Sequence, residues 1–222
     1  DLRMSRGLGD VYKRQASGCV RTAGGRLVSE DAELLIKGAG LTMAQHDEVV
    51  PYVLEAALAP AEASKLAGVK LEPAVMKKVA AKMINSHELT VVEGVGGISA
   101  PLTDNYLVKD FFCDMKLPVI IVVKPLLGNV NHAVLSAYYA QHEGLKVLGF
   151  IVNGWEEENA GVLERSNLYY YEKLTGLPVL GRLPVLNKEL LTGPDMLEAG
   201  KIAAKNIDLQ RIYKLLGDGE NE

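Results

Sequence analysis

Residues 119–153 read VIIVVKPLLGNVNHAVLSAYYAQHEGLKVLGFIVN: a short apolar run, a helical stretch and a second short apolar run. The two runs, Val119–Val123 and Val147–Val152, are continuous rather than alternating and are rich in β-branched residues. Continuous runs of this length are typical of strands that are covered on both faces. A helix is predicted between them over Asn131–Glu143. The stretch therefore predicts a strand–helix–strand unit whose two strands are parallel.

The same alternation continues in both directions along the chain. Two further apolar runs, Leu89–Val92 and Val179–Leu183, are predicted as strands. A loop is predicted around Pro51 and Pro60. Helices are predicted from a cap at Ser29, and over Glu72–His87, Asn105–Met115, Glu157–Thr175 and Asp195–Leu216. The predicted fold class is α/β, with a mainly parallel sheet flanked by helices and right-handed crossovers.

Composition excludes several classes of protein. The 222 residues include 24 basic and 28 acidic side chains, a net charge of −4, so the chain lacks the basic surface that nucleic-acid binding requires. Two cysteines, Cys19 and Cys113, are too few for a disulfide scaffold and indicate a reducing compartment. No apolar run approaches the roughly 20 residues of a membrane span. We therefore expect a soluble cytoplasmic protein with no nucleic-acid or membrane partner.

The N-terminal residues 1–15, DLRMSRGLGDVYKRQ, differ from the rest of the chain. They show neither a helical nor an alternating apolar period and hold four basic and two acidic residues. We interpret the stretch as foreign, because it looks like the read-through of a sequencing adapter; a disordered native tail is the alternative. Residues 16–222 are predicted to form a single α/β domain.

Ligands of open parallel sheets gather at the carboxyl ends of the strands. The first predicted end reads Glu93-Gly94-Val95-Gly96-Gly97, a carboxylate directly after a strand and three glycines within four residues. Glycines let a phosphate approach the backbone, and Mg²⁺ accepts one or two carboxylates alongside substrate phosphates. A tight turn with a solvated glutamate is the alternative.

The other strand ends are also polar or rich in turn residues. The helix after the second strand would begin near Asn129 or Asn131, where backbone N–H groups can receive an anion, although simple Asn capping explains the same residues. His132 has no second His or Cys at ligand spacing, so no zinc site is predicted. Asn153 could pair with an adenine edge, and the backbone around Pro184 could frame the same ring.

Taken in order, these segments resemble the dethiobiotin synthetases, ATP-dependent enzymes that close the ureido ring of the biotin precursor. The resemblance runs from Ala16 to Leu186. Its most specific pieces are Val92–Gly97 followed by Pro101-Leu102, and Gly128–Ala133. Supporting pieces are Ala16-Ser17-Gly18, the acid in Ser29-Glu30-Asp31-Ala32, Asn153, and Leu180-Gly181-Arg182-Leu183-Pro184.

The resemblance implies a P-loop NTPase-like fold, a homodimer, and a reaction of 7,8-diaminononanoate with CO₂ and ATP in the presence of Mg²⁺. It implies that Asp31 and Glu93 hold Mg²⁺ and that Ser17 contacts the diamine. The substrate carboxylate would be received, across the dimer interface, by Gly128, Asn129, Val130 and Asn131. The nucleotide would be lined by Asp31, Glu93, Gly94, Val95, Gly96, Asn153, Pro184, Val185 and Leu186.

The sequence departs from the family pattern at its beginning. Gly-Lys occurs only at Gly200-Lys201, without a glycine five residues earlier, so no G-x-x-x-x-G-K-[ST] phosphate loop is present. The resemblance therefore implies an inactive fragment that lacks the first strand, the phosphate loop and the first helix. The family also has a catalytic lysine four residues before the substrate serine, in a Lys-Pro pattern. Lys13 stands four residues before Ser17 but is followed by Arg14, and we interpret its register as a coincidence.

Two readings other than a dethiobiotin synthetase fit a domain of this kind. One is a non-catalytic nucleotide-sensing module, and the other is a related ATPase that switches partners. The run Gly128–His132 favours the enzyme, because a sensor has no need of a site for a substrate carboxylate.

Overall fold

The computed structural model describes residues 9–187, 189–190 and 196–217, with side chains described from Tyr12 onward. Residues 1–8 of the predicted foreign stretch, and Asp195 at the predicted start of the last helix, lie outside the described residues. The chain divides into two compact units, the first ending at Met115 and the second beginning at Lys116. The single domain proposed for residues 16–222 stays a prediction.

The first unit is built on a pair of parallel strands with helices packed against it. Strand β1 pairs with β4 in a register that places Lys13 opposite Glu93. The remaining strands form two small antiparallel hairpins, β2 with β3 and β5 with β6. Its elements are β1 (Gly9–Lys13), β2 (Val20–Arg21), β3 (Leu27–Val28), α1 (Glu30–Gly38), α2 (His46–Val49), α3 (Pro60–Ala67), α4 (Pro73–Ser86), β4 (Leu89–Glu93), β5 (Pro101–Thr103), β6 (Tyr106–Leu107) and α5 (Val108–Asp114).

Local sequence explains where these helices begin. The Ser29 hydroxyl accepts a hydrogen bond from the Ala32 N–H at 3.2 Å, which caps α1 as predicted. Prolines open α3 and α4, where a missing N–H costs no helical hydrogen bond. The capped start of α1 places Asp31 in its first turn.

The second unit is a three-stranded parallel sheet in the order β7-β8-β9. Helices α6 and α7 pack against it around Phe150, Val152, Trp155 and Tyr171, which are all buried. Its elements are β7 (Val119–Val123), α6 (Asn129–His142), β8 (Val147–Asn153), α7 (Val162–Thr175), β9 (Val179–Leu183), α8 (Met196–Asn206) and α9 (Leu209–Gly217). The strand–helix–strand unit predicted from residues 119–153 is confirmed.

Several expectations are corrected. Residues 9–13 are not irregular, because β4 provides a parallel partner for them. The loop expected around Pro60 contains α3, and the last helical region is two helices rather than one. Coverage of every strand on both faces is also wrong, since Val91 of β4 and Val122 of β7 are exposed. Among the described residues, β4 pairs only with β1, and β7 only with β8.

Candidate active site

The ends of β1 and β4 carry three charged side chains in contact. Because the strands are parallel and in register, Lys13 and Glu93 finish side by side, and the first turn of α1 adds Asp31. The Lys13 ammonium donates to Asp31 Oδ2 at 2.9 Å and to Glu93 Oε1 at 3.0 Å. We call these three residues the Lys13 cluster. The cluster therefore contains both predicted metal ligands, Asp31 and Glu93. It also contains Lys13, whose position four residues before Ser17 we interpret from the sequence as a coincidence.

The environment of the cluster keeps Lys13 charged. Burial by itself would lower the pKa of Lys13, but hydrogen bonds to Asp31 and Glu93 outweigh it and raise that pKa above its usual value. The lysine side chain is only 6% exposed, whereas those of Asp31 and Glu93 are 68% and 46% exposed. The carboxylates therefore reach the surface of the first unit, and the ammonium lies beneath them.

The chemistry of this pair suits Mg²⁺. Two hard carboxylate donors converge on one point and remain open to water, and Mg²⁺ in phosphate sites is bound by one or two carboxylates together with waters and phosphate oxygens. Within the described residues no group of three or more His, Cys, Asp or Glu side chains could hold a metal ion. Asp31 and Glu93 could supply two carboxylate ligands to such an ion.

Ser17 lies just beyond β1 on a segment fixed by its backbone. Ala16 donates to Tyr52 O at 2.9 Å and its carbonyl accepts from Leu54 N at 2.8 Å. Gln15 Nε2 donates to Ser17 Oγ at 2.6 Å. The hydroxyl, half-buried, is therefore held in a defined orientation by the residue two positions earlier.

The glycine-rich turn after β4 needs its glycines. Gly96 has φ 63°, and a Cβ added there would lie 3.2 Å from the Ala100 Cβ. A Cβ at Gly94 would lie 3.4 Å from Arg14 Nη2. At Gly94 and Gly96 the turn that includes Val95 therefore lies close to neighbouring side chains of the same unit, and the approach of a phosphate to this turn stays a prediction.

Arg14 is buried in the first unit, and no carboxylate of the described residues is paired with it. Its guanidinium lies 4.7 Å from the ring centroids of both Phe111 and Phe112, and its three side-chain nitrogens find no hydrogen-bond acceptor among the described residues. Burial lowers the pKa of Arg14 to about 10. A buried unpaired charge costs several kcal/mol, and cation–π contacts recover only about 2 kcal/mol when desolvated. Arg14 is therefore a poor fit at this position.

Replacing Arg14 by methionine is expected to stabilise the chain. Arg14→Met keeps the side-chain length and the contact with the two phenylalanine rings, and it removes the buried charge, so we expect the free energy of unfolding to rise by about 1–4 kcal/mol. Chemical denaturation measures the change. Arg26→Met is the control, because Arg26 is exposed and pairs with Asp47, and its loss should cost no more than about 1 kcal/mol. A loss of stability in Arg14→Met would contradict this account.

In the second unit, helix α6 begins at Asn129, one of the two predicted starts, and two residues before the start of the predicted helical stretch Asn131–Glu143. Gly128 is its N-cap, with φ 85°, and no side chain caps the helix. The backbone N–H groups of the first turn, at Asn129, Val130 and Asn131, are those that an anion would meet. Asn167 Nδ2 and Asn129 N both donate to the Leu126 carbonyl, which holds the approach to this turn in place.

Asn153 and Leu183 lie opposite each other at the ends of β8 and β9. The Leu183 carbonyl accepts from Gly154 N at 2.9 Å and from Trp155 N at 2.8 Å. Asn153 is exposed, and Pro184, Val185 and Leu186 continue from β9 beside it. The structure therefore brings the two predicted nucleotide segments of the second unit to one edge of its sheet.

A cluster next to Asn153 was missed from the sequence. Trp155 Nε1 donates to Glu157 Oε2 at 2.7 Å, and the Arg182 guanidinium lies 5.3 Å from the Trp155 ring centroid. Hydrogen bonds from Trp155 and Arg165 hold the pKa of Glu157 below its usual value. The available signal was that the chain's one tryptophan follows a strand end by two residues.

Comparison with known proteins agrees with this architecture. Parallel strands flanked by helices confirm the predicted α/β class, and a match to an ATPase family identifies the chain as P-loop NTPase-like. A family model described as an AAA domain matches residues 12–192. The crystal structure of a ParA family ATPase from Chlorobium tepidum covers 91% of this chain and 85% of its own, with a TM-score of 0.52 at 13% identity, a likeness of fold alone.

Relatives that are similar in sequence show to which family of P-loop NTPase-like proteins the chain belongs. The ATP-dependent dethiobiotin synthetase BioD of Bacillus velezensis is 38% identical over 80% of this chain and 73% of its own length. The enzymes of the same name from Clostridium acetobutylicum and Bacillus licheniformis are 31% and 39% identical, over 80% and 68% of this chain and 74% and 64% of their own lengths. The chain belongs to the family of ATP-dependent dethiobiotin synthetases, as its motifs indicated.

Proposed function

We propose that this chain carries the framework of an ATP-dependent cyclo-ligase that forms dethiobiotin from 7,8-diaminononanoate, CO₂ and ATP. The observation that supports it most is the convergence of Asp31 and Glu93 at the ends of two parallel strands, in a chain whose relatives carry this name. In the proposed reaction, CO₂ forms a carbamate on one amine of the substrate. A carbamate oxygen then takes the γ-phosphoryl group of ATP, and the second amine closes the ring as phosphate leaves.

In the proposed reaction, the residues of the first unit would bind the metal ion and interact with the charged groups of the substrates. Asp31 and Glu93 would hold Mg²⁺, which when bound neutralises phosphate charge along the in-line transfer. Lys13 would help to stabilise developing negative charge, since its hydrogen bonds to Asp31 and Glu93 raise its pKa and keep its ammonium charged. Ser17, oriented by Gln15, would hold one amine of the diamine through its hydroxyl.

The residues of the second unit would bind and orient. Asn153 would pair with the adenine edge, and Pro184, Val185 and Leu186 would line the ring. In the first unit, Gly94, Val95 and Gly96 would contact the nucleotide. The first turn of α6, from Gly128 to Asn131, would receive the substrate carboxylate. The helix dipole stabilises such an anion by about 0.3–1 kcal/mol, and by more when the site is partly buried.

We also propose that the protein is a homodimer whose interface includes Gly128–Tyr139. The support is a helix N-terminus offered outward, together with Leu135 and Tyr138, which are exposed on the same helix. Sedimentation at micromolar concentration is expected to give twice the mass of the chain. A monomer with an intact circular-dichroism spectrum would contradict the proposal.

A cytoplasmic location is proposed because two cysteines, Cys19 and Cys113, are too few for a disulfide scaffold. In the part of the chain that the structure describes, no helix is long and apolar enough to cross a membrane.

Substrate-dependent phosphate release tests the proposed activity. The chain is extended with the strand, phosphate loop, helix and Lys-Pro segment of a relative in place of residues 1–15. Diaminononanoate with bicarbonate is then expected to stimulate phosphate release from Mg-ATP and to yield dethiobiotin detectable by mass spectrometry. ATP binding without stimulation by the diamine would favour a nucleotide-sensing or switching module instead.

A further inference from the structure

Three side chains beside the proposed adenine subsite hold two strand ends together. We propose that Trp155, Glu157 and Arg182, which we call the tryptophan clamp, position the purine-binding groups at the ends of β8 and β9. The proposal rests on the proposed function, in that Asn153 and the segment after β9 receive adenine. Because Trp155 is buried, it acts through the backbone beside it and is a positioning residue.

The backbone supplies the first link between the strand ends. One carbonyl, that of Leu183 on β9, accepts from both Gly154 and Trp155 immediately after β8. These two hydrogen bonds join the residue that follows Asn153 to the residue that precedes Pro184. Any displacement of Trp155 therefore moves both sides of the subsite.

The side chains supply the second link. One part of the Trp155 ring packs into the core of the second unit with Val152 and Phe150, and the Arg182 guanidinium approaches its face at 5.3 Å. Arg182 Nη1 lies 3.4 Å from Glu157 Oε2, the same oxygen that accepts from the indole at 2.7 Å. Arg182 on β9 therefore contacts the segment after β8 in two ways, through the Trp155 ring and through Glu157, the hydrogen-bond partner of that ring.

Purine recognition needs this link because a side-chain amide pairs with two atoms of the base at once. Such bidentate pairing demands accurate placement, and small displacements weaken it strongly. Asn153 is exposed, and its side chain makes no hydrogen bond within the described residues that would orient it. Its placement therefore depends on the backbone that the clamp holds.

The chain contains a matched control for Arg182. Arg165 also binds Glu157, with its Nη2 3.0 Å from Oε1, but it lies on α7 and its other bond goes to Ala160 O, not to β9. The two arginine side chains are similarly exposed, 47% for Arg182 and 55% for Arg165. Replacing either by glutamine removes one charge and one ion pair with Glu157, but only Arg182→Gln releases β9 from Trp155.

The experiment measures nucleoside binding by the 222-residue chain. Adenosine is the probe and cytidine the comparison, because neither needs a phosphate loop. Trp155 is the chain's only tryptophan, so its emission reports directly on the clamp, and saturation-transfer NMR measures binding independently. We expect adenosine to bind better than cytidine, and its Kd to rise about five- to tenfold in Arg182→Gln but less than about twofold in Arg165→Gln.

Arg182→Lys keeps the positive charge, so its Kd for adenosine should lie between those of the parent chain and of Arg182→Gln. If Arg182 had only a structural role, the loss of adenosine binding would instead parallel the loss of thermal stability. Equal effects of Arg182→Gln and Arg165→Gln, at matched thermal midpoints, would overturn the clamp and leave the purine subsite standing. If Arg182→Gln unfolds, the Arg182→Lys titration decides alone: an adenosine Kd equal to the parent's with unchanged emission overturns the proposal. No preference for adenosine in the parent chain would overturn the purine subsite and the clamp together.

Discussion

Glu93→Gln is expected to abolish turnover in the extended protein while leaving its fold nearly unchanged. The substitution keeps the size of the side chain and removes the charge that would hold Mg²⁺ at the end of β4. Loss of a metal-held charge in a phosphoryl-transfer site removes several kcal/mol of transition-state stabilisation, so activity should fall by about a hundredfold or more. Phosphate release with diaminononanoate and bicarbonate measures the effect.

Stability is compared in the 222-residue chain, where Glu93→Gln should change it little, because Lys13 keeps its bond to Asp31 when that to Glu93 is weakened. Glu93 is nearly half exposed, and ion pairs of that kind contribute at most about 1 kcal/mol. Glu33→Gln on the exposed side of α1 makes the same chemical change away from the Lys13 cluster and should leave activity intact. Near-full activity of Glu93→Gln in the presence of magnesium would show that Glu93 does not hold the metal ion and is only a residue of the turn.

Much of this architecture can be predicted from local sequence. The apolar runs at Leu89 and Val119 predict strands because side chains buried in a sheet dominate the energetics of those segments. The cap at Ser29 marks a helix start because its hydroxyl satisfies a backbone N–H group that the helix leaves unpaired. Polar residues directly after such strands then indicate the site edge without further information.

The remaining features depend on partners distant in sequence. Gly9–Lys13 has no apolar period and becomes a strand only because β4 is available to pair with it. The contact of Trp155 with Arg182 joins residues 27 positions apart, and nothing local predicts it. Exposure of Val91 and Val122 likewise depends on what packs against each face of the sheet, not on their own sequence.

The 222-residue chain itself is expected neither to bind ATP tightly nor to make dethiobiotin. Phosphate loops aim backbone N–H groups at the β-phosphate and place a lysine against the β- and γ-phosphate oxygens. The sequence contains no such loop, and Gly200-Lys201 does not follow its pattern. Lys13 provides one ammonium, but it donates to Asp31 and Glu93 and brings no surrounding amides.

The same chain is expected to be of low stability and prone to aggregation. One edge of β4 and one edge of β7 have no strand partner among the described residues, and each of these strands exposes a valine. Unpaired backbone groups cost about 1 kcal/mol for each hydrogen bond not made, and open apolar edges recruit strands of other chains.

Comparing residues 1–222 with the extended protein tests both expectations at once. Calorimetry with Mg-ATP, phosphate release and light scattering on heating are measured on the two proteins side by side. The added strand and loop should introduce ATP binding and turnover, and they should raise the aggregation temperature, because the loop supplies the missing amides and the strand covers an open edge. An extension of equal length with its loop lysine and threonine replaced by alanine separates the effects: it should keep the gain in solubility and lose ATP binding. Micromolar ATP binding and diamine-dependent turnover by residues 1–222 alone would refute the argument, because they would require the Lys13 cluster to bind the phosphates without a cradle of amides.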